Sequence, residues 1–140
     1  MITVVIDTNV FLAALISRRG ASFKLLTLVG TGGFDICLSV PLVLEYEDAA
    51  KRQIGSKIAL SAQEIDDVID YLCTIGNHHQ VYYLWRPLLK DPKDDMVLEL
   101  AVGAGCNFIL TYNLRDFQGV DQFGIHVMTP KTFLELLGVL

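Results

Sequence analysis

Short apolar runs rich in Val, Ile and Leu alternate with helical patterns along the chain, and this alternation constrains the fold most strongly. The predicted strands are residues 2–6, 34–39, 80–85, 108–111 and 126–128. The predicted helices are residues 8–17, 22–29, 42–52 and 61–76, a helix that opens at Asp91, and residues 131–137. Apolar strands separated by helices are typical of a parallel sheet covered on both faces. We therefore predict an α/β fold, a three-layer α/β/α domain with a central parallel sheet of four to five strands.

The length and composition indicate one globular domain over residues 1–140, because 52% of the residues are hydrophobic and 19% are charged. No apolar run approaches the roughly 20 residues that a membrane helix needs, and the first residues lack the basic region of a signal peptide. We therefore expect a cytoplasmic protein without membrane contact. The net charge of −5 argues against a general nucleic-acid coat protein, which would be basic.

The segment around Asp91 and Asp94 has the pattern of a helix start with an unusual carboxylate. Asp91 is a favourable N-cap, and the apolar stripe of the helix runs through Val97 and Leu98. Counting back by three and four residues places Asp94 in line with this stripe, whereas Asp95 is predicted to face the polar side. A carboxylate at the head of a buried stripe needs a cation or several hydrogen bonds. The alternative is a capping cluster that only stabilises the helix end.

Other polar residues follow predicted strands at the same edge of the sheet. Asp7 follows the first strand directly, and Asn113 and Asp116 lie just beyond the fourth. Open α/β sheets bind ligands at the carboxyl ends of their strands. Glu45 borders the apolar face of the helix after the second strand. The simpler interpretations are that Asp7 caps the following helix and that Glu45 is an ordinary boundary residue.

Four acidic groups that meet at one edge of a sheet repel each other unless cations lie between them. Oxygen ligands without His or Cys favour Mg²⁺ or Mn²⁺. Such ions suit phosphodiester hydrolysis, because they activate water and stabilise the leaving oxygen. The pattern therefore favours a metal-dependent nuclease.

The order and spacing of these motifs resemble a known family. The segments are Asp7-Thr8-Asn9-Val10, the helix with Glu45, Asp91-Pro92-Lys93-Asp94-Asp95 with Leu98-Glu99-Leu100-Ala101, and Phe108-Ile109-Leu110-Thr111-Tyr112-Asn113 with Asp116-Phe117. Together they resemble the PIN-domain ribonucleases, in particular the VapC-type toxins of prokaryotic toxin–antitoxin pairs. The resemblance extends over essentially the whole chain.

This resemblance implies an endoribonuclease that uses Mg²⁺ or Mn²⁺ and water as the nucleophile. Its implied catalytic residues are Asp7, Glu45, Asp94 and Asp116, and its implied metal ligands are these four together with Asn113. Thr8, Asn9, Asp95 and Thr111 would be supporting residues. The implied partners are an RNA substrate, a cognate antitoxin and a second copy of the chain in a homodimer.

The sequence departs from the family at Asn113, where an acidic residue is common. An asparagine carbonyl can bind a cation but adds no charge, so either Asp116 supplies the charge or a second metal binds weakly. Two other functions remain open: a PIN fold that binds RNA or protein without catalysis, and a phosphatase with an Asp nucleophile. The phosphatase would need an acid where this chain has Asn9.

An acidic protein that binds RNA needs a local basic surface. The expected RNA-binding residues are Arg18, Arg19, Lys24, Lys51 and Arg52.

Overall fold

The computed structural model of the chain describes residues 1–81, 89 and 91–140. In these ranges the strands are β1 (Thr3–Ile6), β2 (Asp35–Leu38), β3 (Asn77–His78), β4 (Phe108–Leu110) and β5 (His126–Met128). The α-helices are α1 (Thr8–Ile16), α2 (Ala21–Leu28), α3 (Val40–Lys51), α4 (Ala62–Ile75), α5 (Pro92–Gly103) and α6 (Pro130–Leu136). Two 3₁₀ turns, Leu114–Phe117 and Val120–Phe123, follow β4.

The strands form one parallel sheet in the order β3-β2-β1-β4-β5. Helices cover it as a three-layer α/β/α domain, which confirms the predicted fold class. The central strand β1 pairs with β4, with Val5 opposite Ile109 and Ile6 opposite Leu110. Their carboxyl ends therefore lie side by side, and the residues that follow them are brought together.

The core lies against the central strands. Val4, Val5 and Ile109 are completely buried, as their unbroken apolar pattern predicts. Helix α5 packs on β1, β2 and β4 through Val97, Leu98 and other apolar residues. This packing fixes the first turn of α5 relative to the end of β1.

The third strand lies earlier in the chain than the sequence predicts. We expected it at residues 80–85, but β3 is Asn77–His78, while Gln80 and Val81 are outside any strand and residues 82–85 lie outside the described ranges. Both β3 residues are exposed at the sheet edge, next to β2. An edge strand of polar residues has no apolar pattern, so the prediction followed the apolar run beyond it.

None of the helices in the described ranges combines the length and the apolar character needed to span a bilayer.

Candidate functional site

A cleft of about 320 Å³ lies at the carboxyl ends of β1 and β4. Its acidic lining consists of Asp7, Glu45, Asp91, Asp94 and Asp116. Its other lining residues are Thr8, Asn9, Leu12, Ala49, Arg52, Gln53, Lys93 and Asn113. The structure thus brings together all five residues that the sequence proposed as metal ligands, and it adds Asp91 and Lys93. We call this space the acidic cleft.

Asp7 is held rigidly at the base of the acidic cleft. Its side chain is 8% exposed, and its carboxylate accepts hydrogen bonds from the backbone N–H of Thr8 at 2.8 Å and from the hydroxyl of Thr111 at 2.8 Å. The amide Nδ2 of Asn9 donates a third hydrogen bond at 3.3 Å. Asp7 caps α1, as the simpler interpretation proposed, and it also lines the cleft.

Burial raises the pKa of Asp7 above its usual range. The hydrogen bonds from Thr111 and Thr8 act in the opposite direction, and the charges of Asp116 and Asp91 raise the pKa further. A carboxylate in this position is stabilised by an additional positive charge.

The hydroxyl of Thr111 uses its full hydrogen-bonding capacity to support Asp7. It donates to Asp7 and accepts from Asn9 Nδ2 at 3.2 Å and from the backbone N–H of Asn113 at 3.0 Å. Asn9 Oδ1 in turn accepts from the backbone N–H of Tyr112 at 3.1 Å. This network links the ends of β1 and β4. Thr8 contributes its backbone N–H to Asp7.

Asp94 lies half-buried in the acidic cleft, in the first turn of α5. Burial and the negative charges of Asp7, Asp116, Asp91 and Asp95 raise its pKa to about 6. The preceding residue Asp91 caps the helix, with its carboxylate accepting from the backbone N–H of Lys93 at 2.9 Å. Asp94 is therefore the carboxylate of the cleft whose charge is most clearly opposed by its surroundings.

The prediction that Asp95 faces the polar side of α5 is wrong. Asp95 is 7% exposed, and its carboxylate accepts a hydrogen bond from the backbone N–H of Leu89 at 2.8 Å. Helix periodicity alone does not reveal this contact with Leu89. Asp94 and Asp95 consequently have different surroundings. Asp94 borders the cleft, and Asp95 accepts a hydrogen bond from the backbone of Leu89.

Glu45 reaches the cleft from α3 and forms an ion pair there. Its carboxylate lies 3.2 Å from the ammonium of Lys93, and its side chain is 17% exposed. Sequence reasoning did not include Lys93 among the functional residues. The signal was its position directly before Asp94, which places it in the same helical turn.

Asn113 and Asp116 belong to the loop after β4 and line the cleft from there. Both residues are exposed, and the backbone N–H of Asp116 donates to the carbonyl of Asn113 at 3.0 Å. Phe117, which is 2% exposed, anchors this turn in the core. The neutral Asn113 and the charged Asp116 therefore stand together at the mouth of the cleft.

The structure does not assemble the five expected RNA-binding residues into one surface. Arg52 lines the acidic cleft, while Arg18 lines a separate groove against α1, α2 and α4. Lys51 pairs with Asp66 at 2.8 Å, and Lys24 donates to the carbonyl of Val139. The prediction combined residues near in sequence without knowing which helix faces they occupy. Of the residues that the structure describes, Arg52 and Lys93 are the basic ones that line the cleft.

The donor set fits a hard divalent cation by chemistry, since it consists of carboxylate and amide oxygens. In the part of the chain that the structure describes, however, no three His, Cys, Asp or Glu side chains are already gathered closely enough to hold a metal ion. The Lys93 ammonium lies on Glu45 instead.

The raised pKa of Asp94 predicts a pH-dependent difference between the wild type and Asp94→Asn without divalent metal. The folded state binds the Asp94 proton more tightly than the unfolded state, whose pKa is near 3.8. The wild type therefore loses stability as the pH rises from about 4 to about 7, whereas asparagine does not titrate. After allowance for solvent screening, the free energy of unfolding of Asp94→Asn should exceed that of the wild type by about 1 kcal/mol more at pH 7 than at pH 4. Urea unfolding in EDTA between pH 4 and 8 measures this gain; a constant difference across that range would contradict it.

The comparisons with known proteins agree with this architecture. A family model described as PIN domain matches residues 3–115. A solved structure, "VapBC2 from Rickettsia felis bound to a DNA fragment from their promoter", contains a chain similar in fold, with a TM-score of 0.62 and 12% identity. The match covers 91% of this chain and 98% of that one. A search of curated protein sequences finds no match.

Proposed function

The chain belongs to the PIN domain family, and on that premise we propose that it is a metal-dependent endoribonuclease that hydrolyses RNA phosphodiester bonds. The observation that carries this proposal is the meeting of Asp7, Glu45, Asp94 and Asp116 in one cleft at the carboxyl edge of the sheet. A folded protein rarely concentrates carboxylates in this way without a cation or substrate that uses them. The acidic cleft is therefore the proposed active site.

Each proposed metal ligand has a defined part in this proposal. Asp7 and Asp94 would be the principal ligands of Mg²⁺ or Mn²⁺, and Glu45 would be a third. Asn113 would offer a neutral carbonyl, and Asp116 would supply the charge at that side of the cleft. Such a cation supplies an activated water and stabilises negative charge on the phosphate.

The residues around Asp7 would determine how precisely this site is built. The hydrogen bonds from Thr8, Asn9 and Thr111 fix the orientation of the Asp7 carboxylate. Fixed ligands lower the reorganisation that accompanies cation binding. The opposite side, with the exposed Asn113 and Asp116, is free to adjust to RNA and cation.

The structural likeness supports a place in a toxin–antitoxin pair. The similar solved chain comes from a VapBC2 complex bound to promoter DNA, and the likeness extends over nearly the full length of both chains. We propose that this chain is the toxin of such a pair, that it acts on RNA in the cytoplasm, and that it forms a homodimer and binds a cognate antitoxin.

One observation favours a second candidate, a PIN fold that binds RNA or protein without catalysis. Asn113 brings a neutral amide to the cleft, where the resemblance to the family leads us to expect an acid. A phosphatase remains less well supported, since Asn9 donates hydrogen bonds to Asp7 and Thr111 where that chemistry needs an acid. Metal-dependent cleavage distinguishes the nuclease from the binding module.

The test is incubation of the purified protein with labelled single-stranded RNA in Mg²⁺ or Mn²⁺, with EDTA as the control. We expect cleavage only with the metal. We also expect millimolar Mn²⁺ to raise the melting temperature, since it binds the folded state.

Metal binding without cleavage of any RNA tested would favour the binding module. A melting temperature unchanged by Mn²⁺, together with no cleavage, would contradict the metal centre itself.

A further inference from the structure

We propose that Lys93 is the internal counter-ion of the acidic cleft: it neutralises Glu45 in the metal-free protein and gives way to a divalent cation, after which its ammonium binds an RNA phosphate. This inference rests on the proposed nuclease function and adds a residue with two alternating partners.

The Lys93–Glu45 ion pair lies within the acidic cleft. Lys93 Nζ lies 3.2 Å from Glu45 Oε1, and both residues line the cleft. The other ion pairs found among the described residues lie on α3 or between α3 and α4: Lys51–Glu47, Lys51–Asp66 and Arg52–Asp48. The Lys93–Glu45 pair thus connects α3 with α5 directly across the proposed metal ligands.

The described lining of the cleft carries more negative than positive side chains. Among the described residues, five carboxylates line the cleft, and the basic residues that line it are Lys93 and Arg52. The guanidinium of Arg52 lies 3.1 Å from Asp48, which is not among the lining residues. Lys93 is therefore the cation paired with a proposed metal ligand. A divalent cation that binds Glu45 must compete with it.

The exposure of the two partners indicates which one moves. The side chain of Glu45 is 17% exposed, whereas that of Lys93 is 60% exposed. Lysine carries its charge on a flexible four-carbon stem, so the ammonium can leave Glu45 without movement of the helix. Once released, it remains at the mouth of a cleft that would accept a polyanion, where a phosphate is the natural partner.

Two measurements follow from this exchange. Lys93→Gln removes the competing charge, so it should tighten Mn²⁺ binding roughly three- to tenfold. The same variant loses the phosphate contact, so it should raise KM for RNA roughly three- to tenfold with little change in kcat. Lys93→Arg keeps the charge and should resemble the wild type in both.

The experiment uses calorimetric titration of the full chain with Mn²⁺ and steady-state cleavage of RNA. The matched control is Lys131→Gln, which removes the same charge from an exposed position on α6 that does not line the cleft. Tighter Mn²⁺ binding and a higher KM in Lys93→Gln, with wild-type values in the control, would support the proposal.

Failure of the Lys93 inference can be distinguished from failure of the proposed nuclease function. If the wild type binds Mn²⁺ and Lys93→Gln binds it equally or more weakly, the counter-ion role is wrong while the metal centre stands. A KM for RNA that is unchanged in Lys93→Gln would contradict the proposed phosphate contact. If no protein in the series binds Mn²⁺, both this inference and the proposed function are wrong.

Discussion

Asp94→Asn is expected to reduce RNA cleavage by about 100-fold or more while the protein stays folded. Asp94 lines the acidic cleft, where burial and then the negative charges of neighbours such as Asp7 and Asp116 raise its pKa to about 6. Asparagine removes the charge but keeps nearly the same shape. Residues that only support a ligand typically cost 10–100-fold when mutated, so loss of a direct ligand should cost at least about as much.

The control for this prediction is the stability of the same variant. Without metal, Asp94→Asn relieves the repulsion among the carboxylates, so its free energy of unfolding at neutral pH should equal or exceed that of the wild type. Loss of cleavage can then not be attributed to unfolding. Full activity in a folded Asp94→Asn protein would exclude Asp94 from the site.

Much of this architecture is predictable because parallel strands follow simple rules. The apolar runs of β1 and β4 identify buried strands, and the polar residues directly after them must lie at the carboxyl edge of the sheet. Asp7 and Asn113 are found there. The helix predicted over residues 61–76 is also present as α4, and Ser61 and Glu64 exchange two hydrogen bonds at its start.

The sequence is less informative where a residue's neighbours come from elsewhere in the chain. Strand β3 consists of two exposed residues, and its pairing with β2 leaves no apolar pattern to detect. The ion pair between Lys93 and Glu45 joins two helices whose relative position only packing determines. The surroundings of the expected RNA-binding residues also depend on packing: Arg18 and Arg52 line two different cavities.

The orientation of Asp95 shows this limit most clearly. Helix periodicity assigns each residue a direction but does not show what covers the first turn. Asp95 accepts a hydrogen bond from the backbone N–H of Leu89, and a residue predicted to face solvent is buried. The same counting placed Asp94 in line with the apolar stripe of the helix, and the structure places it half-buried at the cleft.

Asp95→Ala should destabilise the protein by about 2 kcal/mol and lower its melting temperature by roughly 5–10 °C. The Asp95 carboxylate is 7% exposed and accepts the backbone hydrogen bond of Leu89, whose side chain packs against the core. Alanine leaves this N–H without its acceptor. Urea unfolding in EDTA measures the loss.

Asp95→Asn is the matched control, because the amide oxygen can still accept the Leu89 hydrogen bond. It should lose less stability than Asp95→Ala and, while folded, should retain most of the cleavage that Asp94→Asn abolishes. Asp94 would then be a catalytic residue and Asp95 a structural one. If Asp95→Asn abolished cleavage as completely as Asp94→Asn without loss of stability, Asp95 would belong to the active site and the division of roles in this helical turn would be wrong.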